Sequence, residues 1–210
     1  MSTLLVLLLS CYIAGCALPL CVPHSPRAQN LLAHGLAGAA CLLGIGLGFC
    51  GLITSTPLTL SLPSSIPYLD FAFRLDALAA FFIVTISLVG LAVSVYALGY
   101  VTKFYGRTSI GVLGALFNGF LLSMILVVLA DNGFFFLIVW ELMSLLSYFL
   151  VVTEHEKPDV RYAGFFYLIM THIGMACLML TFLIFFQDTH SFSFEVSAIS
   201  TPRYPKPCGH

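Results

Sequence analysis

The sequence predicts an all-α fold, a polytopic membrane helix bundle with about six transmembrane helices. Three observations predict it. The chain is 60% hydrophobic and 8% charged, with a mean hydropathy of +1.05. A soluble globular domain carries roughly 25% charged residues, so there are too few here to cover a water-facing surface. Six apolar runs each approach or exceed the roughly 20 residues that a helix needs to cross the hydrocarbon core. Finally, the charged residues, prolines and turn formers gather between those runs rather than within them.

The predicted helices cover about residues 3–22, 31–54, 77–101, 110–130, 133–153 and 163–186 of a bundle that fills residues 1–190. Pro23, His24, Ser25, Pro26 and Arg27 close the first. That run resembles a signal peptide, and Ile13-Ala14-Gly15-Cys16 resembles a lipoprotein cleavage box. No Lys or Arg precedes it, however, and a signal peptide needs a basic leading region, so retention as a helix is expected. Residues 55–76, with Pro57, Pro63 and Pro67, separate the second and third helices. Within them, residues 69–76 alternate apolar and polar, as a half-buried strand or an interfacial segment does. Arg74 stands between Asp70 and Asp76, which fits a local ion-pair lid or a funnel for protons. Lys103 to Thr108 separate the third and fourth helices. Asp131-Asn132-Gly133 makes the turn into the fifth, with Asp131 solvated or capping it. Glu154 to Arg161 form a mixed-charge loop, and residues 191–210 form a polar, Pro-containing tail expected to be irregular. Lys and Arg are richer in loops one, three and five, which places those loops on the cytoplasmic side.

Several function classes are excluded. A net charge of −1 and the lack of a basic patch leave no nucleic-acid footprint. The seven cysteines contain no C-x-x-C, and five of them lie in or beside the first two apolar runs, where they serve as small packing residues. No ligand cluster with metal or iron–sulfur spacing is visible, and no nucleotide, zinc-protease or nucleophile-elbow motif occurs. No cofactor, metal or catalytic centre is therefore expected in this chain.

One residue breaks the pattern. Glu141 is the single acid or base in the apolar run Phe134–Val152. A charge at the bilayer centre costs about 2.5–3.5 kcal/mol on insertion scales, so an intramembrane acid marks a functional site, with proton or cation handling as the leading chemistry. Helical spacing puts Ser144, Leu145 and Tyr148 on its face. Glu141, Ser144 and Tyr148 thus form a polar stripe that should turn toward the bundle interior and bury the carboxylate. His172 in the sixth run is the second candidate. An imidazole titrates near neutrality and suits a proton relay, although a hydrogen-bonded structural histidine explains it too. Asn118, Ser123, Thr85, Ser87 and Ser94 read as helix-packing residues.

The run Trp140-Glu141-Leu142-Met143-Ser144-Leu145-Leu146-Ser147-Tyr148-Phe149-Leu150 resembles the fifth-helix motif of the antiporter-like subunits of respiratory complex I and membrane-bound hydrogenases. It is most similar to the hydrogenase 4 component B group, which includes the large membrane subunit of formate hydrogenlyase. Phe73 to Phe82 looks like that family's entrance to its third helix, and Arg161 to Gly174 like its hydrogenase-type sixth helix. The resemblance is clear over residues 70–195 and is one of hydropathy alone over residues 1–69. It implies that Glu141 is the glutamate that pairs with a lysine on a broken seventh helix and drives proton transfer. For His172 it implies only a place in the motif. Family members have about fourteen helices, so the resemblance is to their N-terminal portion, as a truncated, frameshifted or split subunit would give.

The expected function is thus the N-terminal part of a proton-translocating antiporter-like subunit of a hydrogenase or complex I-type oxidoreductase, in a bacterial inner membrane. Its partners would be the lipid bilayer, other membrane subunits and peripheral redox subunits that carry the electrons. A passive scaffold or an inactive fragment is the alternative.

Overall fold

The computed structural model describes residues 1–22, 25–54, 57–62, 71–189, 191, 192 and 194. Among the described residues, six long helices follow one another: α1 (Ser2–Cys21), α2 (Pro26–Ile53), α3 (Ala77–Tyr100), α4 (Ile110–Leu129), α5 (Gly133–Val151) and α6 (Pro158–Thr189). Each is long and apolar enough to span a membrane. The fold is the all-α, six-helix bundle that the composition demands. Between α2 and α3 the chain adds an antiparallel hairpin of β1 (Leu58–Leu62) and β2 (Phe71–Leu75), in register from Leu58 opposite Leu75 to Leu62 opposite Phe71. The alternation over residues 69–76 anticipated β2. Asp70, and the tail apart from residues 191, 192 and 194, lie outside the described residues.

Local chemistry sets the helix starts. The Ser25 side chain accepts from the Ala28 amide, with Pro26 in the first helical turn, where its missing N–H costs nothing. Asp76 caps α3 by accepting from the Ala79 amide at 2.8 Å. At α5 the cap is Asn132, whose Oδ1 accepts from the Phe134 and Phe135 amides at 2.9 and 3.0 Å. The cap expected of Asp131 as one of two roles thus falls to its neighbour, while the Asp131 amide donates to the Ala72 carbonyl at 2.9 Å and ties β2 to the α4–α5 junction. The chain turns between α3 and α4 at Gly106, whose φ of 77° few residues with a side chain adopt.

The bundle is organised around α2. It packs most extensively on α3 and α1, while α1 also packs on α4, α4 on α5, and α5 on α6. Leu8, Tyr12, Leu47, Ile83, Ile125 and Leu129 fill the middle. The α2–α3 contact is lined by small residues at helical spacing: Ala37, Cys41, Gly44 and Gly48 face Ala80, Ser87 and Gly90. A Cβ on Gly48 would lie 2.8 Å from the Ala80 carbonyl oxygen, so the two backbones meet there with no room for a side chain. Large apolar residues such as Leu31, Leu78, Tyr96 and Ile184 project outward. On a soluble protein they would be a liability, whereas in a bilayer they are the lipid-facing surface.

Gly48→Ala is expected to lower the stability of the detergent-solubilised chain by about 1–3 kcal/mol, the usual cost of overpacking a tight contact. Gly46→Ala, where a Cβ meets nothing within 4 Å, should leave it unchanged or raise it. Thermal unfolding of the two variants side by side checks this.

Candidate functional site

The rotation of α5 about its axis is fixed by aromatic and aliphatic packing on one side. Phe135 and Val139 are buried against Phe71 and Phe73 of the hairpin and Leu126 and Val127 of α4, with both hairpin phenylalanines edge-on to Phe135 at 5.4 Å. Glu141 follows Val139 by two residues, about 200° further round the helix. It therefore leaves the hairpin side and turns toward α6. There its Oε1 meets His172 Nε2 at 3.0 Å. The structure thus brings together the two residues singled out for proton transfer, from the middle of two antiparallel helices.

The environment of the pair differs from the sequence expectation. Glu141 is half-buried, with 29% of its side-chain surface open, and His172 has 50% open. The stripe does not bury the carboxylate, because α5 is flanked chiefly by α4 and α6, and α6 lies on the outside of the bundle. Of the other stripe members, Ser144 is buried and Tyr148 half-buried. What meets the Glu141 carboxylate is the imidazole of the next helix.

The hydrogen bonds of His172 determine what the pair holds. Its Nδ1 lies 2.9 Å from the Leu168 carbonyl oxygen one turn earlier. A carbonyl can only accept, so Nδ1 carries a proton. Nε2 then faces Oε1, and two lone pairs 3.0 Å apart would repel. One further proton must lie between them, as a carboxylic acid donating to a neutral imidazole or as an imidazolium donating to a carboxylate.

A second polar link crosses the same interface. The Ser147 hydroxyl is hydrogen-bonded to the Tyr167 phenol, and Ser147 also donates to the Ser144 carbonyl at 2.8 Å. Neither residue was marked by the sequence. The signal was there in the antiparallel geometry, since Ser147 is six residues beyond Glu141 and Tyr167 five before His172. Gly164 then lets α6 close on Val152 and Tyr148, while at the other end Phe182 packs on Phe136 and Phe194 at 5.7 Å from each.

The remaining polar candidates sit elsewhere. Asn118 is fully buried and donates to the Ala33 and Gly114 carbonyls at 3.0 and 2.9 Å, and Ser94 donates to the Gly90 carbonyl at 2.7 Å. Arg74 and Asp76 form a loose pair at 4.0 Å and, with Asp131, border a cavity of about 620 Å³ beside the hairpin. Lys157 pairs with Glu154 at 2.7 Å on the loop surface, where such a contact contributes little.

Two family models match in tandem. Residues 65–107 match the N-terminus of chain 5 of NADH-ubiquinone oxidoreductase (complex I), and residues 130–201 match the transmembrane region of NADH:quinone oxidoreductases and Mrp antiporters. The second stretch contains both Glu141 and His172. The chain belongs to the antiporter-like family of complex I-related membrane subunits. It is a multi-pass integral membrane protein. Hydrogenase-4 component B of Escherichia coli is 33% identical over 127 residues, which are 60% of this chain and 19% of that protein. Subunit L of the NADH-quinone oxidoreductase of Mycobacterium tuberculosis is 35% identical over 109 residues, 52% of this chain and 17% of that one. The chain thus spans about a fifth of the length of the curated relatives it matches. Among solved structures, a chain of the membrane-bound sulfane sulfur reductase, an archaeal respiratory membrane complex, superposes with a TM-score of 0.75 at 15% identity. That match covers 95% of this chain and 39% of the other. A chain of the Mrp complex from Dietzia gives 0.74 at 23% identity, covering 92% and 20%. At these identities the two structures show a shared fold.

Tyr167→Phe should weaken the α5–α6 contact by about 0.6 kcal/mol, the average for an interhelical hydrogen bond in a membrane protein. Ser147→Ala should add little once Tyr167 is gone. A double-mutant cycle on denaturant unfolding in detergent measures that coupling.

Proposed function

We propose that the chain contributes an intramembrane proton-transfer pair, Glu141 and His172, to a proton-translocating subunit of a hydrogenase or complex I-type assembly. The observation that carries this reading is the 3.0 Å approach of Oε1 to Nε2 while Nδ1 is held by the Leu168 carbonyl, an arrangement that stores one exchangeable proton within two apolar helices. A group that takes up and gives back a proton must lie within hydrogen-bond reach of its exchange partner, and this pair does. Ser144 and Tyr148 line the α5 side, and the Ser147–Tyr167 link holds the two helices in register.

The likeness to hydrogenase-4 component B and to subunit L favours a membrane subunit that works beside others, with the electron-carrying centres on peripheral partners. The open side of the pair is suited to a further membrane segment bearing a basic group. A positive charge there would favour the carboxylate and hand the shared proton to the imidazole.

Glu141→Gln in the assembled complex should reduce proton uptake into membrane vesicles by about 10²-fold, the order of effect of removing a positioned acid–base group. His172→Gln should fall between that variant and the unmodified complex. Unchanged uptake in both variants, with the complex intact, would make Glu141 a packing residue of a passive scaffold.

A further inference from the structure

A second imidazole lies deep in the bundle, away from the Glu141–His172 pair. His34 stands eight residues into α2, about 12 Å along the helix from its start. It is 4% exposed, and among the described residues neither ring nitrogen has a hydrogen-bond partner. Its ring leans on Phe117 of α4 at 5.3 Å. A turn earlier, Asn30 is equally buried. Its Nδ2 donates to the Leu98 carbonyl and the Tyr105 hydroxyl, and its Oδ1 is unpartnered. Buried polar groups are nearly always satisfied, so an imidazole with neither nitrogen partnered calls for a ligand.

The shape of the protein around His34 indicates which ligand. The ring borders a cavity of about 260 Å³ that runs between α2, α3, α4 and the α5–α6 junction. Away from the loops the walls are apolar, from Val93, Leu113 and Phe117, while the outer end, toward the loops, is bordered by Tyr100, Thr153, Glu154 and Val160. Tyr100, Thr153 and Glu154 lie where loops three and five begin, on the side that also carries loop one. Charged groups near the outer end include Glu154, its partner Lys157, and Lys103, which sits 5.2 Å over the Tyr100 ring, with Glu156, Asp159 and Arg161 in the same loop and the first turn of α6. A water molecule takes about 30 Å³ in the liquid, so the cavity has room for several.

We propose that this cavity is an aqueous vestibule whose water reaches the His34 ring and puts that imidazole in proton exchange with the face carrying loops one, three and five. The vestibule uses none of the residues of the Glu141–His172 site. It gives the N-terminal half of the bundle a protonatable group of its own.

Radiolytic hydroxyl-radical labelling of the full chain in lipid nanodiscs tests this, because radicals form where water is. Tyr12, fully buried in the dry core, is the reference, and exposed Tyr100 is the positive control. His34 is expected to label several-fold faster than Tyr12, and Thr153→Trp, which narrows the outer end, should slow His34 several-fold while leaving Tyr12 unchanged. Labelling of His34 no faster than Tyr12, with Tyr100 labelled normally, would mean that the cavity is dry or filled by a lipid chain and would overturn the proposal. Undiminished labelling in Thr153→Trp would overturn the route.

Discussion

The close approach of α2 and α3 is the contact on which the rest of this protein depends. In hydrocarbon, helices gain little from burying apolar surface, because lipid tails are as apolar as leucine. They are held by dense packing, and density requires backbones to come near one another. The glycines and alanines of α2 provide that nearness, down to the point where Gly48 faces the Ala80 carbonyl directly. With α2 set against α3, α1 and α4 close over its other faces, and α4 presents the surface on which α5 is oriented.

Farther from that seam the packing thins and its chemistry changes. The α5–α6 pair has no comparable run of small residues. Phenyl rings at one end, a glycine at the other and two polar links between them hold it together. A tightly packed seam has one arrangement, while a hairpin joined by exchangeable hydrogen bonds can break and remake them. The hairpin of β1 and β2 joins the halves at their surface, since its backbone bonds to Asp131 and its phenylalanines grip Phe135.

Much of this was legible in the sequence. Six apolar runs are an unambiguous signal when the only alternatives are spanning helices and closed barrels. Glu141 and His172 stood out because polar residues are conspicuous against such a background. Their pairing required knowing that α5 and α6 are antiparallel neighbours, which the short loop between them suggests. What stayed hidden depended on contacts between distant segments. Asp131 and Asn132 are both residue types that cap helices, and nothing local singles out Asn132; nor does anything local show that the Asp131 amide bonds to Ala72, some sixty residues earlier. Ser147 and Tyr167 look like ordinary helix residues until they are seen to face each other. The stripe on α5 gave the direction of Glu141 within its own helix, but burial depends on how many neighbours lie on that side. His34 carries no local mark at all, and only the cavity around it sets it apart.

The single proton between Glu141 and His172 has an electrostatic consequence. Whether it rests on oxygen or on nitrogen, the pair as a whole carries no net charge. Its passage from oxygen to nitrogen therefore enlarges a local dipole without adding net charge to the membrane, and so avoids most of the solvation cost that a bare carboxylate or imidazolium would meet there. Such an element is sensitive to the sign of any charge brought alongside it, and it responds by rearranging internally.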